Sequence, residues 1–126
     1  MKLKDFDFRV WSEKEGKYIH KERLTPFLLD GLHDDDLEIE LFTGLCDKYH
    51  RKIYEGDILG FDVERECVNG RVFYNNNEAM FLVDCEGEAE WLYVVSLHTL
   101  KDKIKAGIAV VGDIHRPKHG LIRIKG

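Results

Sequence analysis

A chain of 126 residues lies in the single-domain range, and folding at this size hides roughly two thirds of the extended chain's accessible surface, enough for one core without covalent staples. The three cysteines, Cys46, Cys67 and Cys85, are odd in number and belong to no C-x-x-C pair, which excludes a disulfide framework and a cysteine-held zinc and predicts a reduced, cytoplasmic chain. The formal charge of −5 is uneven, with residues 1–98 at −10 and 99–126 at +5, so a uniformly basic nucleic-acid surface is excluded and only the tail offers clustered cations.

The opening Met1-Lys2-Leu3-Lys4-Asp5 leads into no signal-like apolar stretch. No apolar run approaches the roughly 20 residues that span a membrane, so no membrane association is expected. Phe6, Phe8 and Val10 alternate with Asp5, Asp7 and Arg9, which predicts a strand with the apolar row facing inward. A polar turn ending at Gly16 follows, and Lys17-Tyr18-Ile19-His20 returns antiparallel, giving a hairpin over residues 6–20. From Leu24 to Leu37, Pro26, Asp30-Gly31 and the acidic run Asp34-Asp35-Asp36 predict a surface loop. Glu38 to Phe42 alternates again as a strand, with Ile39 and Leu41 expected inward.

Downstream, short apolar runs at Ile53-Tyr54, Ile58 to Val63, Cys67 to Tyr74, Ala79 to Asp84 and Glu90 to Val94 are each punctuated by Gly, Asn or Asp. That spacing predicts an all-β sandwich or small barrel. Asn75-Asn76-Asn77 is the expected hairpin tip, because asparagine tolerates the left-handed region. Leu97, Leu100 and Ile104 share one face of a single short helix over 97–105, stopped by Gly107. Ile108 to Val111 then reads as a buried closing strand, and Leu121 to Ile124 as an edge strand.

The stretch Thr43-Gly44-Leu45-Cys46-Asp47-Lys48-Tyr49-His50-Arg51-Lys52-Ile53-Tyr54-Glu55-Gly56-Asp57-Ile58 resembles the signature of the YopX family of phage and prophage proteins, T-G-L-x-D-x-x-G-x-x-I-Y-E-G-D-I. Phe8-Arg9-Val10-Trp11, Gly70 to Tyr74, and Val110-Val111-Gly112-Asp113-Ile114-His115 before Pro117 fall in the family's order. The resemblance covers nearly the whole chain. It departs at His50, where the family has glycine, and at Asp113, where it commonly has asparagine; a left-handed residue 50 is costlier without glycine but tolerable for histidine. The ending from His119 to Ile124 departs further. The resemblance implies an all-β protein with one short helix: a small SH3-like barrel with an additional N-terminal hairpin. It carries no established activity and no catalytic residue. The expected division is a hairpin and loop region over 6–42, a barrel-like core over 43–114 and a basic tail over 115–126.

Thr43, Gly44, Asp47, Ile53, Tyr54, Glu55, Gly56 and Asp57 read as a structural motif. Ile53-Tyr54 and Ile58-Leu59 are apolar anchors around a bend that Gly56 permits and that the Asp57 carboxylate fixes by bonding the backbone. His33 with the aspartates at 34–36 lacks the alternating ligands and central glycine of a calcium loop, which leaves a solvated acidic loop. His115 and His119 have the four-residue spacing of a helical metal pair, but Pro117 between them opposes the helix. No metal and no cofactor is therefore expected, and no P-loop or dinucleotide fingerprint occurs.

Arg116, Lys118, Arg123 and Lys125 form a basic tail for phosphate or for an acidic protein surface. Trp91 and Tyr54 are the aromatics expected at an interface, the others being core. Three functional classes follow. The first is a module that binds a phage or host protein. The second is a nucleic-acid accessory protein in phage replication or transcription, working through the tail. The third is a cryptic hydrolase, which requires a pocket of convergent polar groups with shifted pKa values. An unpaired apolar edge at Val94-Val95 or Leu121 to Ile124 would call for a second copy of the chain.

Overall fold

The computed structural model describes residues 6–20, 37–87, 92–104 and 106–116. Among the described residues nine strands and one helix follow in order: β1 (Phe8–Ser12), β2 (Lys17–Ile19), β3 (Leu37–Cys46), β4 (Lys52–Tyr54), β5 (Asp57–Val63), β6 (Glu66–Asn75), β7 (Met80–Gly87), β8 (Leu92–Ser96), α1 (Leu97–Lys103) and β9 (Ala109–Asp113). Strands are antiparallel throughout the described pairings. They form a four-stranded sheet ordered β2-β1-β3-β4 and a five-stranded sheet ordered β8-β7-β6-β5-β9. The all-β expectation with one short helix holds, and the curled sheets make a half-barrel.

The larger core lies on the five-stranded sheet, where Ile53, Leu59, Val68, Val72, Val83 and Leu100 are almost fully enclosed. Leu97 and Leu100 give α1 its buried face, as their spacing predicts. Ser96 caps the helix, its hydroxyl accepting the Thr99 N–H at 3.1 Å. A smaller cluster, Val10 and Ile19 with Phe8 and Leu37 against them, lies on one face of the four-stranded sheet.

Between the sheets runs the signature stretch. The pairing of β3 with β4 jumps from Phe42↔Tyr54 to Cys46↔Lys52, so β3 carries extra residues there in a bulge. Gly44 takes φ +89° in it, while the Thr43 hydroxyl donates to the Ile53 carbonyl at 2.8 Å and accepts the Leu45 N–H at 3.2 Å. Gly56 takes φ +88° at the bend between β4 and β5. Its N–H donates to the Val72 carbonyl and its own carbonyl accepts the Ile114 N–H. The Asp57 carboxylate accepts the Tyr54 N–H at 2.8 Å, the backbone bond expected of it.

The structure corrects several side-chain placements. Phe6 is 49% exposed and stands before β1. Ile39 lies opposite the buried Val10 and so shares its face, yet is 53% exposed, whereas Glu40 beside it is buried. Glu40 goes inside because an arginine, a tyrosine and a histidine meet its carboxylate there, as set out below. At the β6–β7 tip the left-handed residue is Ala79, at φ +52°, rather than an asparagine; Asn75 contributes by accepting the Glu78 N–H at 3.0 Å. His50 does adopt the left-handed region, at φ +67°. In the closing strand Ile108 and Asp113 are buried while Val110 and Val111 are half-buried. The loop at 24–36 with His33, the edge strand at 121–124, and Trp91, Lys118, His119, Arg123 and Lys125 lie outside the described residues. Among the described residues no helix is long and apolar enough to cross a membrane.

Candidate functional site: a cation-lined cleft between the sheets

Strand alternation puts two rows on β1. Phe8 and Val10 face the small core; Arg9 and Trp11 face the other way. Direct cross-strand partners share a face, so Arg9↔Glu40, Trp11↔Glu38 and Trp11↔Tyr18 set five polar or aromatic side chains on that second face. It meets the β4–β5 bend and the segment just after β9.

Arg9 is the hub. Its Nε pairs with Glu40 Oε1 at 2.7 Å, and its Nη2 pairs with Asp57 Oδ1 at 2.7 Å and donates to the Glu55 carbonyl at 3.3 Å. The guanidinium lies 4.6 Å from the Tyr18 ring and 4.7 Å from the Tyr54 ring, a cation between two aromatic faces. Glu40 also accepts the Tyr18 hydroxyl at 3.0 Å and meets His115 Nε2 at 2.6 Å. The imidazole stacks on Trp11 at 4.2 Å with 6° between planes. Farther out, Asp7 accepts the Tyr54 hydroxyl at 2.6 Å and Lys52 Nζ at 2.9 Å.

Burial and charge divide the work in this network. For Arg9, burial alone would favour losing the proton, but Asp57 and Glu40 outweigh it and hold the pKa above the ordinary guanidinium value. Burial pushes the Asp57 carboxyl above its ordinary range, with Arg9 only partly offsetting it. Burial likewise raises Tyr18 and Tyr54, whose phenols stay protonated and serve as hydrogen-bond donors.

A second anchor lies at the cleft's far edge. Asp47 Oδ1 accepts the Tyr49 and Arg51 N–H groups at 2.9 and 2.8 Å, and its Oδ2 accepts the Val110 N–H at 2.9 Å, tying the 47–51 turn to β9. Burial opposes ionisation of this carboxyl, but the Val110, Arg51 and Tyr49 bonds together with the Arg51 charge hold it below the ordinary range.

These anchors enclose an open cleft of about 630 Å³ whose wall carries Arg9, Arg51, Lys52 and Arg116 with Tyr18 and Tyr54, against Asp57 and Asp113. Arg9 is committed to its carboxylates and Lys52 reaches Asp7. Arg51 and Arg116 are exposed; Arg116 lies loosely by Asp113, at 3.6 Å, and 5.1 Å from the Tyr18 ring. Among the described residues the cleft wall carries no serine, cysteine or histidine. The groups there with shifted pKa values are engaged: Asp57 by Arg9 and the Tyr54 N–H, Tyr18 by Glu40, Tyr54 by Asp7. Arg51 and Arg116 at the mouth present positive charge and N–H donors of the kind that pair with an anion.

Of the residues that the sequence singles out for binding, the structure brings Tyr54 and Arg116 together in this wall. Thr43, Gly44, Asp47, Ile53, Glu55, Gly56 and Asp57 form the frame around it. Sequence reasoning missed Arg9, Tyr18 and Glu40. Their signal was the polar row alternating with Phe8 and Val10, which reads as solvent-facing until a second polar row lies opposite. Val94 is 55% exposed on the edge strand β8.

A family model described as YopX protein matches residues 7–118. Among curated proteins no match is found.

Proposed function

Because the chain belongs to the YopX family, a membership that brings no chemistry with it, we propose that it acts by binding, its cleft receiving an acidic segment of a phage or host protein. The observation that carries this reading is the wall itself: in a chain of net charge −5, four cations and two tyrosines converge on one concavity. Arginine and tyrosine are the residues that most often dominate interface energetics, and an arginine fork holds a carboxylate with two parallel hydrogen bonds. Arg51 and Arg116, exposed at the mouth, are the contact cations; the Arg9 network is the frame that fixes Tyr18 and Tyr54.

A short acidic protein segment is favoured over nucleic acid by the small number of uncommitted cations: Arg9 and Lys52 are already paired with carboxylates, which leaves Arg51 and Arg116 at the mouth, enough to hold one or two carboxylates where a run of phosphates calls for several clustered cations. Three cysteines with no C-x-x-C pair suit the reducing cytoplasm of a bacterial host.

Affinity capture from cells carrying the phage element, with and without nuclease, tests the proposal. Arg51→Glu/Arg116→Glu is expected to lose partners that the wild-type chain keeps after nuclease treatment. Partners that vanish with nuclease, or that the double variant retains, would overturn it.

A further inference from the structure

We propose a second site, independent of the cleft's occupant: Glu13, Glu38 and His115 bind a divalent transition-metal ion of the zinc type. Glu13 lies in the turn between β1 and β2, Glu38 on β3 and His115 just past β9, and one ligand atom of each lies within 4.8 Å of the others. Imidazole with carboxylate suits zinc and its neighbours rather than magnesium or calcium, which take oxygen. Metal–ligand bonds of about 2.0–2.2 Å place tetrahedral ligand atoms roughly 3.4 Å apart. A small rotation of two exposed glutamates closes the difference.

The histidine is the fixed member. Its side chain is 8% exposed, stacked on Trp11 and bonded through Nε2 to Glu40, which Arg9 holds in turn. Nδ1 is thereby left for another partner, and the carboxylate nearest to it, Glu13 Oε1, lies at 3.9 Å, beyond hydrogen-bond reach. An enclosed imidazole with Glu13 Oε1 3.9 Å from its Nδ1 and Glu38 Oε2 3.8 Å from its Nε2, neither within bonding distance, is the observation that points to an ion. A carboxylate on one ring nitrogen and a metal on the other is the usual support of a metal-binding histidine, fixing tautomer and ring orientation.

Calorimetric titration of the chelator-stripped full chain with zinc chloride, and separately with magnesium chloride, tests the site. One zinc per chain and no comparable magnesium binding are expected. In Glu13→Gln/Glu38→Gln the stoichiometric zinc heat should disappear, while the metal-free melting temperature stays near wild type because both side chains are exposed. Nitrogen-15 NMR of the wild-type chain should show the His115 ring signals moving as zinc is added. Zinc binding of equal strength in the double variant, or ring signals of His115 that do not move, would overturn the assignment.

Discussion

Arg9→Met is expected to lower the unfolding free energy by about 3–5 kcal/mol, the cost of breaking a buried ion pair from one side. The methionine fills much of the volume, so the loss is electrostatic. Glu40 and Asp57, whose side chains are 5% and 2% exposed, would be left facing each other's surroundings without the cation that compensates both. Arg9→Lys should recover only part of the loss, because one ammonium cannot present the fork that reaches two carboxylates and the Glu55 carbonyl at once.

The pH dependence of that loss has a definite sign. Asp57 has a folded-state pKa above its ordinary value because burial disfavours the charged form. The folded chain therefore takes up this proton at a higher pH than the unfolded chain; ionised Asp57 costs stability in full above its folded pKa, and the cost fades as pH falls below that value and is gone only below the unfolded carboxyl value of about 3.9. Removing Arg9 pushes the pKa higher still. The deficit of Arg9→Met, measured by urea unfolding, should be largest near about pH 8 and shrink toward about pH 5. A variant with the wild-type midpoint, or a deficit that grows in acid, would mean that the network does not hold the sheets together.

Asp47→Ala should cost about 3 kcal/mol, because three backbone N–H groups lose their acceptor at one stroke. Two of them shape the 47–51 turn and the third belongs to β9, so amide hydrogen exchange should accelerate at Tyr49, Arg51 and Val110 together. Asp47→Asn keeps one acceptor oxygen and should lose roughly half as much. The sign with pH is opposite to that of Asp57. Asp47 has a folded pKa below its ordinary value, so its contribution is complete above the unfolded carboxyl value of about 3.9 and disappears as pH falls through the folded one. The gap between wild type and Asp47→Ala should close in acid. Unchanged exchange at Val110 would show that the turn and β9 are tied by other contacts.

The frame of the site was legible in the sequence, and its contents were not. Gly56 and Asp57 announced their bend because a positive φ and a backbone-bonding carboxylate are local needs that residue type expresses directly. His50 announced its strain in the same way, by standing where the family has glycine. Arg9 and Glu40 are different. Each lies in a strand whose alternation assigns it to solvent, and Glu40 becomes buried and Arg9 half-buried only because Arg9 of β1 falls opposite Glu40 of β3, across a stretch of chain that no local pattern pairs. Ile39 shows the reverse of the same fact, an apolar residue left half exposed beside a buried glutamate. His115 was visible as a metal ligand only with His119, because spacing along the chain is all that sequence offers; the fold sets it beside Glu13 and Glu38 instead.

The role proposed for the cleft between the sheets is to recognise carboxylates. Its most direct test is an amide NMR titration of the full chain with a glutamate-rich peptide, and in parallel with a single-stranded oligonucleotide, at physiological salt. The peptide is expected to shift amides at 51–54 and 110–113, and Arg51→Glu/Arg116→Glu should weaken it at least about tenfold, or about 1.4 kcal/mol. Shifts at those amides from the oligonucleotide and none from the peptide would contradict the claim.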